Sequence, residues 1–79
     1  MNNLKDLIYT KVMNANDQEK VCKSGFVIIR ADDTNKHAIK CKKAEHPRSW
    51  KILRDDFRSK YQRDIYMRDL LLLDDYIED

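Results

Sequence analysis

Residues 26–42, FVIIRADDTNKHAIKCK, contain the pattern that decides the fold. Two segments rich in apolar residues, 26–31 and 37–42, are separated by the polar stretch 32–36, DDTNK. Aspartate and asparagine between such segments favour a turn, and the β-branched residues on either side favour strands. This stretch therefore predicts an antiparallel β-hairpin.

The register of the hairpin is predicted from the alternation of side chains. Opposed residues share a face of the sheet, and a slip by one residue moves every side chain to the other face. The preferred register gathers apolar side chains on a core face, in the pairs Ala31 with His37, Ile29 with Ile39, and Val27 with Cys41. The other face then mixes basic and apolar side chains, namely Phe26, Ile28, Arg30, Ala38, Lys40 and Lys42.

An amphipathic helix is predicted before the hairpin, over residues 2–13. Its apolar positions recur at helical spacing, at Leu4, Leu7, Ile8 and Val12. Residues 14–17 are predicted to form a turn or loop, and Lys20–Lys23 could supply one more short strand. Because two strands alone are unstable in water, a third strand or packed helices must cover the core face.

Two helices, or one bent helix, are predicted after the hairpin. Pro47 suits the first turn of a helix, and two apolar stripes follow it. The first stripe predicts a helix over about 48–62, with Trp50, Leu53, Phe57 and Tyr61. The second predicts a helix over about 64–77, with Tyr66, Leu70, Leu73 and Ile77.

Together these elements predict a single small α+β domain over residues 1–79. It has an N-terminal helix, an antiparallel hairpin of two or three strands, and one broken or two C-terminal helices packed on the sheet. The predicted core consists of Val27, Ile29, Ile39, Cys41, Leu4, Ile8, Trp50, Leu53, Phe57 and Leu70. At this size burial is limited, so a deep enclosed pocket is not expected.

Charge is segregated along the chain although the net charge is only +2. Residues 36–63 contain ten basic and three acidic side chains, whereas residues 64–79 contain one basic and six acidic side chains. Such a distribution predicts a molecule with a basic flank and an acidic extremity, which attract different partners.

No catalytic motif is present, so no enzymatic activity and no cofactor are predicted. One glycine cannot form a phosphate-cradling loop, and no serine, histidine and aspartate occur at a spacing that indicates nucleophilic catalysis. A zinc site is a weaker alternative, with Cys22, His37, Cys41 and His46 as ligands. Their spacing fits no common zinc motif, and we prefer to interpret the cysteines as buried thiols.

The sequence predicts a small regulatory or inhibitory protein that binds a protein partner. Its basic stripe consists of Lys40, Lys42, Lys43, Arg48, Lys51, Arg54 and Arg58. A second contact, to the partner or to another copy in a homodimer, is predicted at Leu71, Leu72 and Tyr76. The general profile resembles that of small host regulators encoded by viruses or mobile elements, a resemblance that identifies no residue.

Nucleic-acid binding is the alternative function, with residues 40–58 as the contact region. The basic side chains there could bind phosphates, and Phe26 could stack on a base. The acidic C-terminal residues would repel phosphate, which favours a protein partner. The longest apolar runs have four residues, so neither a membrane span nor a cleavable signal is expected, and a cytoplasmic location is predicted.

Overall fold

The two apolar segments of the predicted hairpin form the centre of a four-stranded sheet. The computed structural model describes residues 13–79. Its elements in chain order are α1 (Ala15–Lys23), β1 (Val27–Asp32), β2 (Ala38–Lys42), β3 (Lys51–Arg54), α2 (Lys60–Leu71) and β4 (Tyr76–Glu78). The strand order is β3-β2-β1-β4, with β4 parallel to β1 and the other neighbours antiparallel. The α+β class is confirmed, whereas the helix predicted over 2–13 falls almost entirely on residues outside those described, as do Leu4 and Ile8.

The hairpin has the predicted faces and a register that differs by two residues. Ile29 lies opposite Cys41, and Ala31 lies opposite Ile39. A shift of two residues preserves the face of every side chain, which is why the apolar face was predicted correctly. The turn occupies residues 33–37, so His37 lies in the loop with its Nδ1 3.4 Å from Asp33 Oδ1.

Both faces of the sheet are covered, because α1 packs on one and α2 on the other. Ile28 on the α1 face and Ile29 on the α2 face are both fully buried. The α1-face cluster consists of Met13, Cys22, Ile28 and Ile77, and the α2-face cluster consists of Ile29, Ile39, Cys41 and Met67. Of the other predicted core residues, Val27, Leu53, Phe57 and Leu70 join the α2-face cluster, whereas Trp50 packs on the α1 face.

The helix predicted over 48–62 is wrong, because residues 51–54 form strand β3 and α2 begins at Lys60. A register shift between β2 and β3 leaves Leu53 as an extra residue, and this bulge turns its side chain towards the α2-face cluster. Phe57 reaches the same cluster from the loop after β3. Their four-residue spacing therefore reflects two contacts with one core rather than a helical turn.

The helix predicted over 64–77 is correct only to Leu71. Asp74 and Asp75 form a turn, and β4 then pairs with β1. Ile77 is buried beneath α1 because alternation along this short strand directs it to that face.

Residues 14–17 and 20–23, predicted as a loop and a strand, belong to helix α1 and its cap. The side chain of Asn14 accepts a hydrogen bond from the Asp17 backbone N–H at 2.8 Å. The helix ends at Lys23 with Ser24 as its C-cap, and the next residue is Gly25, whose φ of +102° is a conformation that other residues seldom adopt.

A buried arginine joins α2 to the hairpin. Arg63 is 1% exposed. Its guanidinium donates to both carboxylate oxygens of Asp33 at 3.0 and 3.2 Å, to Asp64 Oδ1 at 2.7 Å and to the carbonyl of Ala38 at 3.0 Å. These bonds fix the hairpin loop and the start of β2 against α2.

We expect Arg63→Met to lower the free energy of unfolding by about 2–4 kcal/mol, because it removes the charge-assisted hydrogen bonds to Asp33, Asp64 and Ala38. Urea denaturation measures the change. The matched control is Arg68→Met on the exposed side of the same helix, which should change stability by less than about 0.5 kcal/mol. Equal effects of the two substitutions would contradict the role assigned to Arg63.

Asp33 should make part of the stability depend on acid pH. Its hydrogen bonds from Arg63, and next from His37, hold the pKa of its carboxyl below the ordinary value of 3.8. A lowered folded-state pKa contributes stability above the ordinary value, and this contribution is lost as the pH falls through the folded-state value. Asp33→Asn should therefore be less stable than the parent at pH 7, and the difference should disappear as the pH falls below about 4 in melts of both proteins.

Candidate functional site

Strands β2 and β3 bring much of the predicted basic stripe to one edge of the sheet. We use the name β3 edge for Trp50 together with strand Lys51–Arg54, since β3 is the outermost strand on this side. Lys40 and Lys42 lie on the neighbouring strand β2, Lys43 follows it, and Arg58 follows β3. The members of the stripe lie on both faces of the sheet near this edge, and they differ in burial and pairing.

Three cationic side chains surround the ring of Trp50 on the α1 face. The Cζ of Arg30 lies 5.1 Å from the ring centroid, and the Nζ atoms of Lys40 and Lys42 lie at 5.2 and 4.8 Å. The electron-rich face of an indole attracts cations at such distances. Trp50 also packs against the α1-face cluster, so it anchors the basic side chains to the core.

Lys42 is the least accessible of the predicted binding residues, with an exposed fraction of 7%. Its ammonium donates to Gln18 Oε1 at 2.7 Å, and Gln18 Nε2 donates to Asp79 Oδ2 at 2.8 Å. Arg30 also donates to this Asp79 oxygen. The chain of bonds ties α1, β1, β2 and the residue after β4 together, so Lys42 has a structural role.

Two arginines of the predicted stripe are neutralised by acidic neighbours. Arg48 donates to Glu19 Oε1 at 2.7 Å, and Arg54 donates to Asp56. The Arg54 guanidinium also lies 4.8 Å from the ring centroids of Phe57 and Tyr66. Hydrogen bonding to Asp56 raises the pKa of Arg54.

The remaining cations of the stripe are less constrained. Lys51 and Arg58 are exposed, and Lys43 is half-buried. Within residues 13–79 none of these three side chains forms a salt bridge. Their charges are accordingly available to a partner of opposite charge.

The structure separates the residues predicted as the second contact. Leu71 and Tyr76 are half-buried against the α2-face cluster, whereas Leu72 is 78% exposed. Leu73, which the sequence assigned to a helical stripe, is 49% exposed in the turn before β4. The exposed apolar surface here therefore belongs to the turn after α2.

The four residues weighed as zinc ligands lie in different surroundings. Cys22 is buried on the α1 face and Cys41 on the α2 face, and burial raises the pKa of both thiols. His37 lies beside Asp33, and His46 Nδ1 is 3.0 Å from the carbonyl oxygen of Ser49. Among residues 13–79 no three His, Cys, Asp or Glu side chains form a group that could hold a metal ion.

Ile52 is the functional candidate that the sequence analysis missed. It is 55% exposed at the β3 edge, on the same face as its partner Lys40. A shallow hollow of about 290 Å³ lies beside it, with Ala38, Asp32 and Asp55 in its lining. A local signal for Ile52 was present in the sequence. Ile52 and Leu53 lie between the basic residues Lys51 and Arg54, and basic residues that flank a short apolar pair are typical of an edge strand protected by charge.

Comparison with protein families, curated proteins and solved structures finds no match to this chain. No helix in the described part of the chain is long and apolar enough to cross a membrane.

We expect Asp79→Asn to lower the free energy of unfolding by about 1–3 kcal/mol, since its side chain is 8% exposed and accepts a hydrogen bond from the charged Arg30. Urea unfolding followed by the fluorescence of Trp50, the only tryptophan, measures the change. Asp74→Asn, an exposed neutralisation in the turn before β4, is the control and should be nearly neutral. Similar losses in both variants would show that net charge, rather than this network, is responsible.

Proposed function

We propose that this chain is a small non-enzymatic regulatory or inhibitory protein that acts by binding a protein partner at the β3 edge. The observation that carries the proposal is the exposed Ile52, flanked by the available charge of Lys51 on an outermost strand. An exposed aliphatic side chain with adjacent basic groups is suited to a partner surface that offers both an apolar patch and carboxylates.

A protein partner is preferred to nucleic acid because the basic stripe is partly neutralised. Lys42 is buried, and Arg48 and Arg54 each have an acidic neighbour, so fewer cations remain for phosphate contacts. Nucleic-acid affinity depends mainly on such contacts. Apolar exposure at Ile52, and at Leu72 in the turn after α2, supports protein binding instead.

The proposed mode of action is occlusion or adaptation rather than catalysis. Both thiols are buried with raised pKa values, which makes them poor nucleophiles. Free cysteines also suit a reducing compartment, and we place the encounter with the partner in the cytoplasm. The general resemblance to host regulators of viruses and mobile elements supports an inhibitory role.

Affinity capture from a host-cell lysate, with and without nuclease treatment, tests the proposal. We expect a protein to be retained after nuclease treatment, and Lys51→Glu to reduce its recovery by about ten-fold, because charge reversal places like charges in contact. Lys20→Glu reverses an exposed charge on α1, outside the β3 edge, and should leave recovery unchanged. Loss of all bound material on nuclease treatment would instead assign the basic stripe to nucleic acid, and equal losses in the two variants would exclude the β3 edge.

A further inference from the structure

The side of each strand to which a residue's backbone N–H and C=O point can be derived by starting at β4. The N–H of Val27 donates to the carbonyl of Asp75 at 2.7 Å, so the backbone groups of Val27 face β4. Backbone groups of successive strand residues face opposite sides, and those of Ile28 therefore face β2. Ile28 is paired with Lys42, whose backbone groups face β1 in return.

The same alternation shows which backbone groups at the β3 edge are unpaired. Cys41 precedes Lys42, so its backbone groups face β3, where its partner is Lys51. Those of Lys51 consequently face β2, and the N–H and C=O of the next residue, Ile52, point away from the sheet. No strand among residues 13–79 lies on this outer side.

The two faces of the β3 edge differ in chemistry. Lys51 lies opposite Cys41 and Arg54 opposite Ile39, so the bulge at Leu53 leaves both basic residues on the α2 face. Ile52 lies on the α1 face. An added strand would therefore meet positive charge on one face and an apolar side chain on the other.

We propose that the β3 edge binds an extended segment of the partner by β-strand addition, and that this segment alternates acidic with apolar residues. The inference rests on the proposed protein-binding function and specifies its mode. The N–H and C=O of Ile52 supply the first ladder bonds, an acidic residue of the segment lies beside Lys51, and an apolar residue packs on Ile52. Strand addition of this kind derives affinity from main-chain bonds and specificity from alternate side chains.

Charge argues against a second copy of the chain as the occupant. Strand β3 is Lys51-Ile52-Leu53-Arg54, so the β3 strand of a second copy offers Lys51 no carboxylate. In the antiparallel register that pairs the outward groups of both Ile52 residues, it brings only further basic side chains to the same face. The β4 edge of another copy contains the acidic Glu78 but offers only three strand residues. An acidic segment of a different protein satisfies the charges of the β3 edge without this restriction.

Chemical synthesis can test the main-chain bond directly. Ligation at Cys41 joins peptides 1–40 and 41–79 into the full chain and allows N-methyl-isoleucine at position 52. This change removes the outward N–H while it retains the side chain. The probe is a blocked peptide, Glu-Val-Glu-Val-Glu-Thr, titrated against the protein by NMR, with the peptide bearing Lys at each Glu position as control.

We expect the acidic peptide to bind, N-methylation to weaken its binding by about ten-fold, and the basic peptide not to bind. Ile52→Val retains the N–H and changes only the side chain, so it should bind the acidic peptide within about two-fold of the parent. It therefore separates the contribution of the side chain from that of the main-chain bond. Proton shift dispersion confirms that each variant is folded. Equal binding by the N-methyl and parent proteins, or by both peptides, would overturn strand addition.

The experiment distinguishes this inference from the proposed function. If the captured protein is lost with Lys51→Glu but retained by the N-methyl variant, the protein-binding function stands and strand addition fails. If the acidic peptide binds but nothing is captured after nuclease treatment, the proposed function fails instead. A self-associated species that N-methylation dissociates in sedimentation would assign the edge to a second copy and also overturn the inference.

Discussion

Strand β1 is buried on both faces, and the other elements are arranged to cover it. Ile28 and Ile29 are adjacent in sequence, point in opposite directions and have no exposed surface. A strand of this kind needs a helix on each side and a neighbouring strand at each edge. Helix α1, helix α2, β2 and β4 meet these four requirements. Strand β3 pairs only with β2 within residues 13–79. The exposed Ile52 therefore lies at the edge of the sheet because β1 and β2 occupy its centre.

Buried polar side chains connect the two helices to the sheet, in addition to the apolar contacts. Arg63 joins α2 to the hairpin loop, and the bonds through Gln18 and Asp79 join α1 to the sheet. Both use a side chain that is largely removed from water, where an unpaired charge is costly. Within residues 13–79 no buried side-chain nitrogen or oxygen lacks a partner. A small domain with a limited apolar core thus gains a specific arrangement of its layers from a few fully bonded polar groups.

The charges that are segregated along the chain are partly paired with one another or buried in the folded structure. In the basic stripe, Arg48 and Arg54 form salt bridges with nearby acids, and Lys42 is buried. Among the acidic residues after position 63, Asp64 and Asp79 form salt bridges with arginines. What remains at the β3 edge is a small amount of available positive charge beside one exposed isoleucine. This combination is the basis of the proposed recognition of a short segment of alternating character.

Local patterns predicted the α+β class, the hairpin and the apolar face of that hairpin correctly, because alternation with period two survives a two-residue change of register. They also located most of the basic residues near the β3 edge, since these are close in the chain. The burial of Ile28 and Lys42 follows from long-range packing, because α1 must cover the second face of the sheet. Residues 51–54 were predicted as a helix because Leu53, in the bulge, and Phe57, in the loop, are four residues apart, and their pairing with β2 makes them a strand. Ser59 and Gln62, whose side chains cap the true start of α2, were a local signal available in the sequence. Ile52 is exposed because β3 is an edge strand. The strand order follows from pairing between segments that are distant in the chain, which a local sequence pattern does not encode.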